Sequence, residues 1–176
     1  MSYVYTPNDL AIFLLNANFK RSDEQLLLQD LWEEQTYILE EYRQDLSLFR
    51  REVHREIRRE MTFFELEENM DELDLIMRDV DPAYVLLQPG YAEDRILQFF
   101  KMIRLQLLYI DGKDYRKIRL RRLLRYFGYK RRSAALVQNI KQALSILSLA
   151  PFLRGWVPCD IAALHIDDMV MIRLAQ

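Results

Sequence analysis

A chain of 176 residues with 51% hydrophobic and 30% charged side chains can bury a core of one or two small domains, which excludes a disordered or fibrous protein. Four Gly and five Pro are too few for an all-β chain, no apolar run approaches the roughly 18 residues of a bilayer span, and the start MSYVYTPND lacks the basic and apolar regions of a secretion signal. The net charge of −2 hides a division: residues 21–81 carry 19 Asp/Glu against 8 Lys/Arg, and residues 93–132 carry 4 against 13, so the two segments stand at −11 and +9.

In chain order, Thr6-Pro7-Asn8-Asp9 supplies a capping hydroxyl, a proline suited to the first helical position and an acid in the first turn, which predicts a short helix from Pro7 to about Phe19. Ser22 and Gln25 form a capping-box pattern that opens a second helix. Beyond it Leu39, Tyr42, Leu46, Phe49 and Val53 follow one another at steps of 3, 4, 3 and 4, the spacing of a coiled-coil seam. Carried to Met61, this helix would be about 60 Å long and would need a partner along the seam. Thr62 and Glu65 suggest another helix through Asp79, ended at Asp81-Pro82. The uncharged stretch 82–90 reads as a linker between a helical assembly region, 1–81, and a second domain, 91–176.

The second domain starts with a helix from about Ala92 to Tyr109, followed by an Asp111-Gly112 turn. A basic helix from Tyr115 to Phe127 carries Arg116, Lys117, Arg119, Arg121, Arg122 and Arg125. Gly128 breaks it, Lys130, Arg131 and Arg132 fill the turn, and Ser133 caps a helix running to about Leu149. Two β-favouring runs, Ala162–Ile166 and Met169–Leu174, are joined by Asp167-Asp168 as a terminal hairpin. Helix, helix, turn, helix and hairpin is the element order of a winged-helix form of the helix-turn-helix, whose last helix enters the DNA groove. The expected fold is therefore mainly α: a long-helix, coiled-coil-like N-terminal region and a winged-helix-like α+β domain. The cations suit phosphates, with Gln138 and Lys141, beside Asn139 and Gln142, as the groups available to bases on a reading helix poor in charge.

The run RLRRLLRYFGYKRRSAALVQNIKQALSILSL, followed by HIDDMVMIRL, resembles a small helix-turn-helix or winged-helix module of bacterial proteins, some of them associated with DNA restriction or phage defence. The resemblance covers residues 119–174 and implies DNA binding.

Catalytic patterns are sparse. His54 and His165 are too few for a metal site and read as structural, and no spacing rule joins Cys159 to His165 as thiol and base. Asp111-Gly112-Lys113 has the acid-x-Lys step of many nucleases but reads better as a turn. No phosphate-binding glycine loop occurs, and the cluster Glu65, Glu67, Glu68, Asp71, Glu72 and Asp74 lacks calcium-loop spacing. One cysteine excludes an internal disulfide and suits a reducing compartment. The expectation is a cytoplasmic, noncatalytic protein without cofactor or metal. It binds nucleic acid, double-stranded DNA first, mainly through phosphates, and associates with itself or a larger subunit through Leu39, Tyr42, Leu46, Phe49 and Val53. The alternative is a protein-interaction subunit whose basic helix docks on an acidic partner without nucleic acid.

Overall fold

A computed structural model describes residues 3–17, 19–68, 91–110, 112 and 114–175. The chain is mainly helical with a small antiparallel sheet, and it divides into two compact units, residues 2–80 and 81–176. Among the described residues no helix is long and apolar enough to cross a membrane.

The first unit holds α1 (Pro7–Ala17), α2 (Arg21–Glu33), a 3-10 turn (Glu40–Tyr42) and α3 (Leu46–Glu68). The start of α1 is a reciprocal capping box: the Asp9 backbone N–H donates to Thr6 Oγ1 at 3.1 Å, and the Thr6 N–H donates to Asp9 Oδ2 at 3.0 Å. Pro7 has no N–H, so the helix start has three unpaired donors, and two of them are thereby satisfied, with a buried carboxylate. Ser22 does not cap α2. The helix begins two residues earlier than a Ser22 cap would start it, after the N-cap Lys20, and the Ser22 hydroxyl donates to Asp23 Oδ1.

The single long helix expected from Ser22 to Met61 is two helices. Gln35 takes a left-handed φ of 53°, and its side-chain amide donates to the carbonyls of Trp32 and Arg43 at 2.8 and 3.1 Å. Trp32 Nε1 donates to the Tyr42 carbonyl at 2.9 Å, while the Tyr5 N–H pairs with the Tyr37 carbonyl at 2.7 Å. The backbone between Glu34 and Asp45 is thus held by side chains and by the N-terminal segment, which outweighs its helical propensity. Asp45 restarts the helix as an N-cap, its carboxylate accepting from the Leu48 N–H at 2.9 Å. Leu39 and Tyr42 lie before α3, and only Leu46, Phe49 and Val53 are on it. Phe49 and Val53 are fully buried within the unit, where α1 packs along α3. Thr62 does not start a new helix, since α3 continues through it to Glu68. The rest of the expected 62–79 helix and the 82–90 linker lie outside the described residues.

The second unit runs α4 (Tyr91–Tyr109), β1 (Arg116–Arg119), α5 (Leu120–Tyr126), α6 (Ala134–Ile146), β2 (Leu149–Leu153), β3 (Val157–Pro158) and β4 (Met169–Leu174). The sheet order is β1-β4-β2-β3, antiparallel throughout. The basic helix expected from Tyr115 is half strand: Arg116–Arg119 pairs with Met169–Ile172, and α5 has only seven residues. Four residues are too few for periodicity to separate strand from helix, and the pairing with β4 decides. The hairpin is also corrected. Met169–Leu174 pairs with Leu149–Leu153, and Ala162–Ile166 is a turn.

Local chemistry explains the remaining boundaries. Gly128, at φ 84°, closes α5 in a Schellman arrangement, with Tyr129 N–H on the Leu124 carbonyl and Gly128 N–H on that of Arg125, both at 2.9 Å. Ser133 caps α6 by accepting from the Leu136 N–H at 3.2 Å. The buried Arg104 of α4 donates Nε to the Leu147 carbonyl at 3.1 Å, placing a cation at the negative end of α6. Leu120, Leu123, Leu124 and Phe127 are the buried side chains at α5 and its end, Phe127 lies against Phe100 of α4, and Ile96 of α4, Leu136 and Ile140 of α6, and Val170 and Ile172 of β4 are buried as well.

Candidate functional site

Because β1 leads directly into α5, cations spaced along both elements converge. Arg116, Lys117, Arg119, Arg121, Arg122 and Arg125 line one groove of about 710 Å3, whose remaining walls are Phe99, Ile118, Tyr126 and Met169. Among the described residues the lining contains no carboxylate. All six cations are exposed, because the intervening Leu120, Leu123 and Leu124 take the buried face of α5. Tyr126, half exposed, rests against Phe99 with ring centroids 4.8 Å apart, and the Arg95 guanidinium lies 5.5 Å from its centroid.

One of the six is engaged. Arg121 donates from Nε and Nη2 to the two oxygens of Asp167 at 2.7 and 2.8 Å, a bidentate pair. The Arg121 hydrogen bonds hold the Asp167 carboxyl below the usual carboxylate range, and Asp167 in turn raises the guanidinium pKa of Arg121. The other five make no hydrogen bond or ion pair with an acid among the described residues and are exposed, although Arg119 lies close enough to Asp167 to help lower its carboxyl pKa.

The remaining expected binding residues are elsewhere. Arg131 and Arg132 line a smaller hollow of about 340 Å3 with Leu120, Leu124, Leu164, His165 and Ile166. Arg132 is a structural clamp: Nη1 donates to the carbonyls of Ile161 and Leu164, 2.8 Å for the first. Lys130 is exposed in the turn before α6, and Gln138 is exposed on α6. Lys141 is tied to Asp160 at 2.8 Å, and this contact lowers the carboxyl pKa of Asp160. The charged surface therefore belongs to β1 and α5 rather than to α6.

Of the expected interface residues, Phe49 and Val53 are buried, Tyr42 touches Phe49 with centroids 5.9 Å apart, and Leu39 and Leu46 are partly exposed. His54 faces Glu24 across α2 and α3 at 3.4 Å. His165 sits in a turn, its N–H donating to Asp168 Oδ2 at 2.7 Å and its Nδ1 accepting from the Asp167 N–H at 3.3 Å. Burial pushes the Cys159 thiol pKa up, the reverse of an activated nucleophile. Asp111 and Lys113 lie outside the described residues.

Sequence reasoning missed Phe99 and Met169, which reach the groove from distant positions, and a cluster at the β2–β3 turn. There Trp156 is held edge-on by Tyr115, centroids 5.4 Å apart, with the Arg173 guanidinium 4.3 Å from its ring centroid. The available signal was the isolated aromatic in Arg154-Gly155-Trp156, at a turn that has no folding need for an indole. No family model, curated protein or solved structure matches the chain.

Proposed function

We propose that residues 91–176 form a winged helix that binds duplex DNA through its phosphates, and that the protein is a noncatalytic accessory protein or complex subunit. The element order supports this reading, because a strand between the first two helices pairs with the last strand while β2 and β4 make the wing. One observation carries it: among the described residues the groove is lined by six cations and no carboxylate, and five of the six have no acidic hydrogen-bond partner. So many unneutralised like charges disfavour the isolated protein and are repaid by a polyanion. Affinity then comes from the backbone and from DNA shape, since the exposed face of α6 offers little to read bases with.

Residues 2–80 serve in this proposal as the assembly part, joining a second copy or a larger subunit, with the exposed Leu26 of α2 as an apolar contact. The resemblance of residues 119–174 suggests restriction or defence, in the cytoplasm, as the setting. The test is a titration of a labelled duplex at several salt concentrations. Five phosphate contacts give a slope of log affinity against log salt of about −4.5. A folded protein that fails to bind duplex at about 50 mM salt, where the counterion term is strong, overturns the proposal. Binding to an acidic polypeptide instead would favour the protein-interaction reading.

A further inference from the structure

The sheet has a core face and an outer face. Ile118 opposite Val170, and Leu149 opposite Leu174, alternate with a second set on the other side: Lys117 opposite Met171, Arg119 opposite Met169, and Arg173 opposite Ala150. Tyr115, one step before β1, continues the row of Lys117 and Arg119, and Trp156 stands over Arg173 at the end of that row. Trp156 is 45% and Tyr115 42% exposed. Trp156 also has a φ of +63°, directly after Gly155 at +83°. A residue with a Cβ is disfavoured in that conformation, and glycine would relieve it. A half-exposed indole in a strained turn, with a guanidinium already on its ring, adds little to the core.

We propose that this outer face binds an unpaired stretch of DNA, its bases stacking on Trp156 and Tyr115 and its phosphates meeting Lys117, Arg119 and Arg173. The inference rests on the nucleic-acid reading of the groove, which shares Lys117 and Arg119 with this face, and extends it from paired to single strands. Interleaved aromatics and cations are what single-strand binding uses, because every base has a π face and every linkage a charge. A duplex hides its base faces and an acidic peptide has none, so neither would use the aromatic half of the surface. From Tyr115 to Arg119 the strand covers about 13 Å, room for three or four bases stacked at about 3.4 Å.

The test uses the full chain and a short oligothymidine, which forms no duplex with itself. The protein has two tryptophans, Trp32 and Trp156, so comparison of wild type with Trp156→Phe isolates the second. Wild-type fluorescence should be quenched as oligothymidine binds, and Trp156→Phe should lose that quenching while keeping most of the affinity. Trp156→Gly, which relieves the backbone strain, should lose roughly 5- to 100-fold in oligothymidine affinity with duplex affinity unchanged. Trp156→Gly binding oligothymidine as tightly as wild type, or wild-type binding without quenching, would overturn the inference. Duplex binding with no oligothymidine binding sinks this inference alone, whereas loss of both sinks the reading beneath it.

Discussion

Arg121 and Arg122 are neighbours in sequence, both line the groove, and only Arg121 is held by an acid. Replacing Arg122 and Arg125 together by Ala removes two of the five cations that face solvent, which should lower the magnitude of the salt slope from about 4.5 to about 2.7. At 0.15 M salt each released counterion contributes about 0.7 log units, so the double variant should bind duplex about 30-fold more weakly. Arg121→Ala should leave the slope close to its wild-type value, because that guanidinium is spent on Asp167. Asp167→Ala should release Arg121, steepen the slope by about 0.9 and tighten binding about fivefold. Fluorescence anisotropy of a labelled duplex, at four or more salt concentrations and with folding checked by circular dichroism, reads all three. If Arg121→Ala weakens binding by one cation's share of the double variant's loss, about fivefold, or if Asp167→Ala fails to tighten it, cations are contributing regardless of their partners and the groove argument fails.

Phe49→Ala should cost the first unit about 3–5 kcal/mol, since the ring is fully buried, and Phe49→Glu should unfold that unit rather than dissociate a complex; Trp32 fluorescence in a denaturant titration separates the outcomes. Gly128→Ala forces a Cβ into the left-handed closure of α5 and should destabilise the second unit by about 1 kcal/mol, read by Trp156 emission. The Asp167 carboxyl is held below its usual range by Arg121, so its contribution is complete above the unfolded value of about 3.9 and is lost as pH falls through the lower folded value. The stability difference between wild type and Asp167→Ala should therefore be constant from neutral pH down to about 5 and close below about 4; a difference that grows on acidification would contradict the assignment.

Where a boundary depends on one residue and its nearest neighbours, the sequence was readable. Thr6 with Asp9, Gly128 and Ser133 act through bonds three to five residues long, and all three termini fall where those residues point. The break between α2 and α3 was not readable from periodicity. It depends on Tyr5 pairing with Tyr37 and on Gln35 taking a left-handed turn without glycine, after which Asp45 caps the restart. The conversion of Arg116–Arg119 from helix to strand has the same origin, since its partner lies some fifty residues further on. For the site, the basic composition was legible along the chain, but its sorting was not. Which cations share a groove, which one Asp167 neutralises and which one clamps the carbonyls of Ile161 and Leu164 are set by contacts that spacing does not encode.

Among the described residues, β1 occupies one margin of the sheet, with a single neighbouring strand. Such a margin offers unpaired backbone donors and acceptors to any extended segment that meets it, which is how sheets of separate molecules come to fuse. The four residues there, Arg116, Lys117, Ile118 and Arg119, are three-quarters cationic. Two identical margins approaching each other bring like charges together before a ladder can form. The cations that would meet a polyanion in the proposed reading are therefore the same ones that keep two such margins apart, and a polyanion covering the strand would remove that protection. Replacing Arg116, Lys117 and Arg119 by neutral residues should raise light scattering above the wild-type value at high protein concentration.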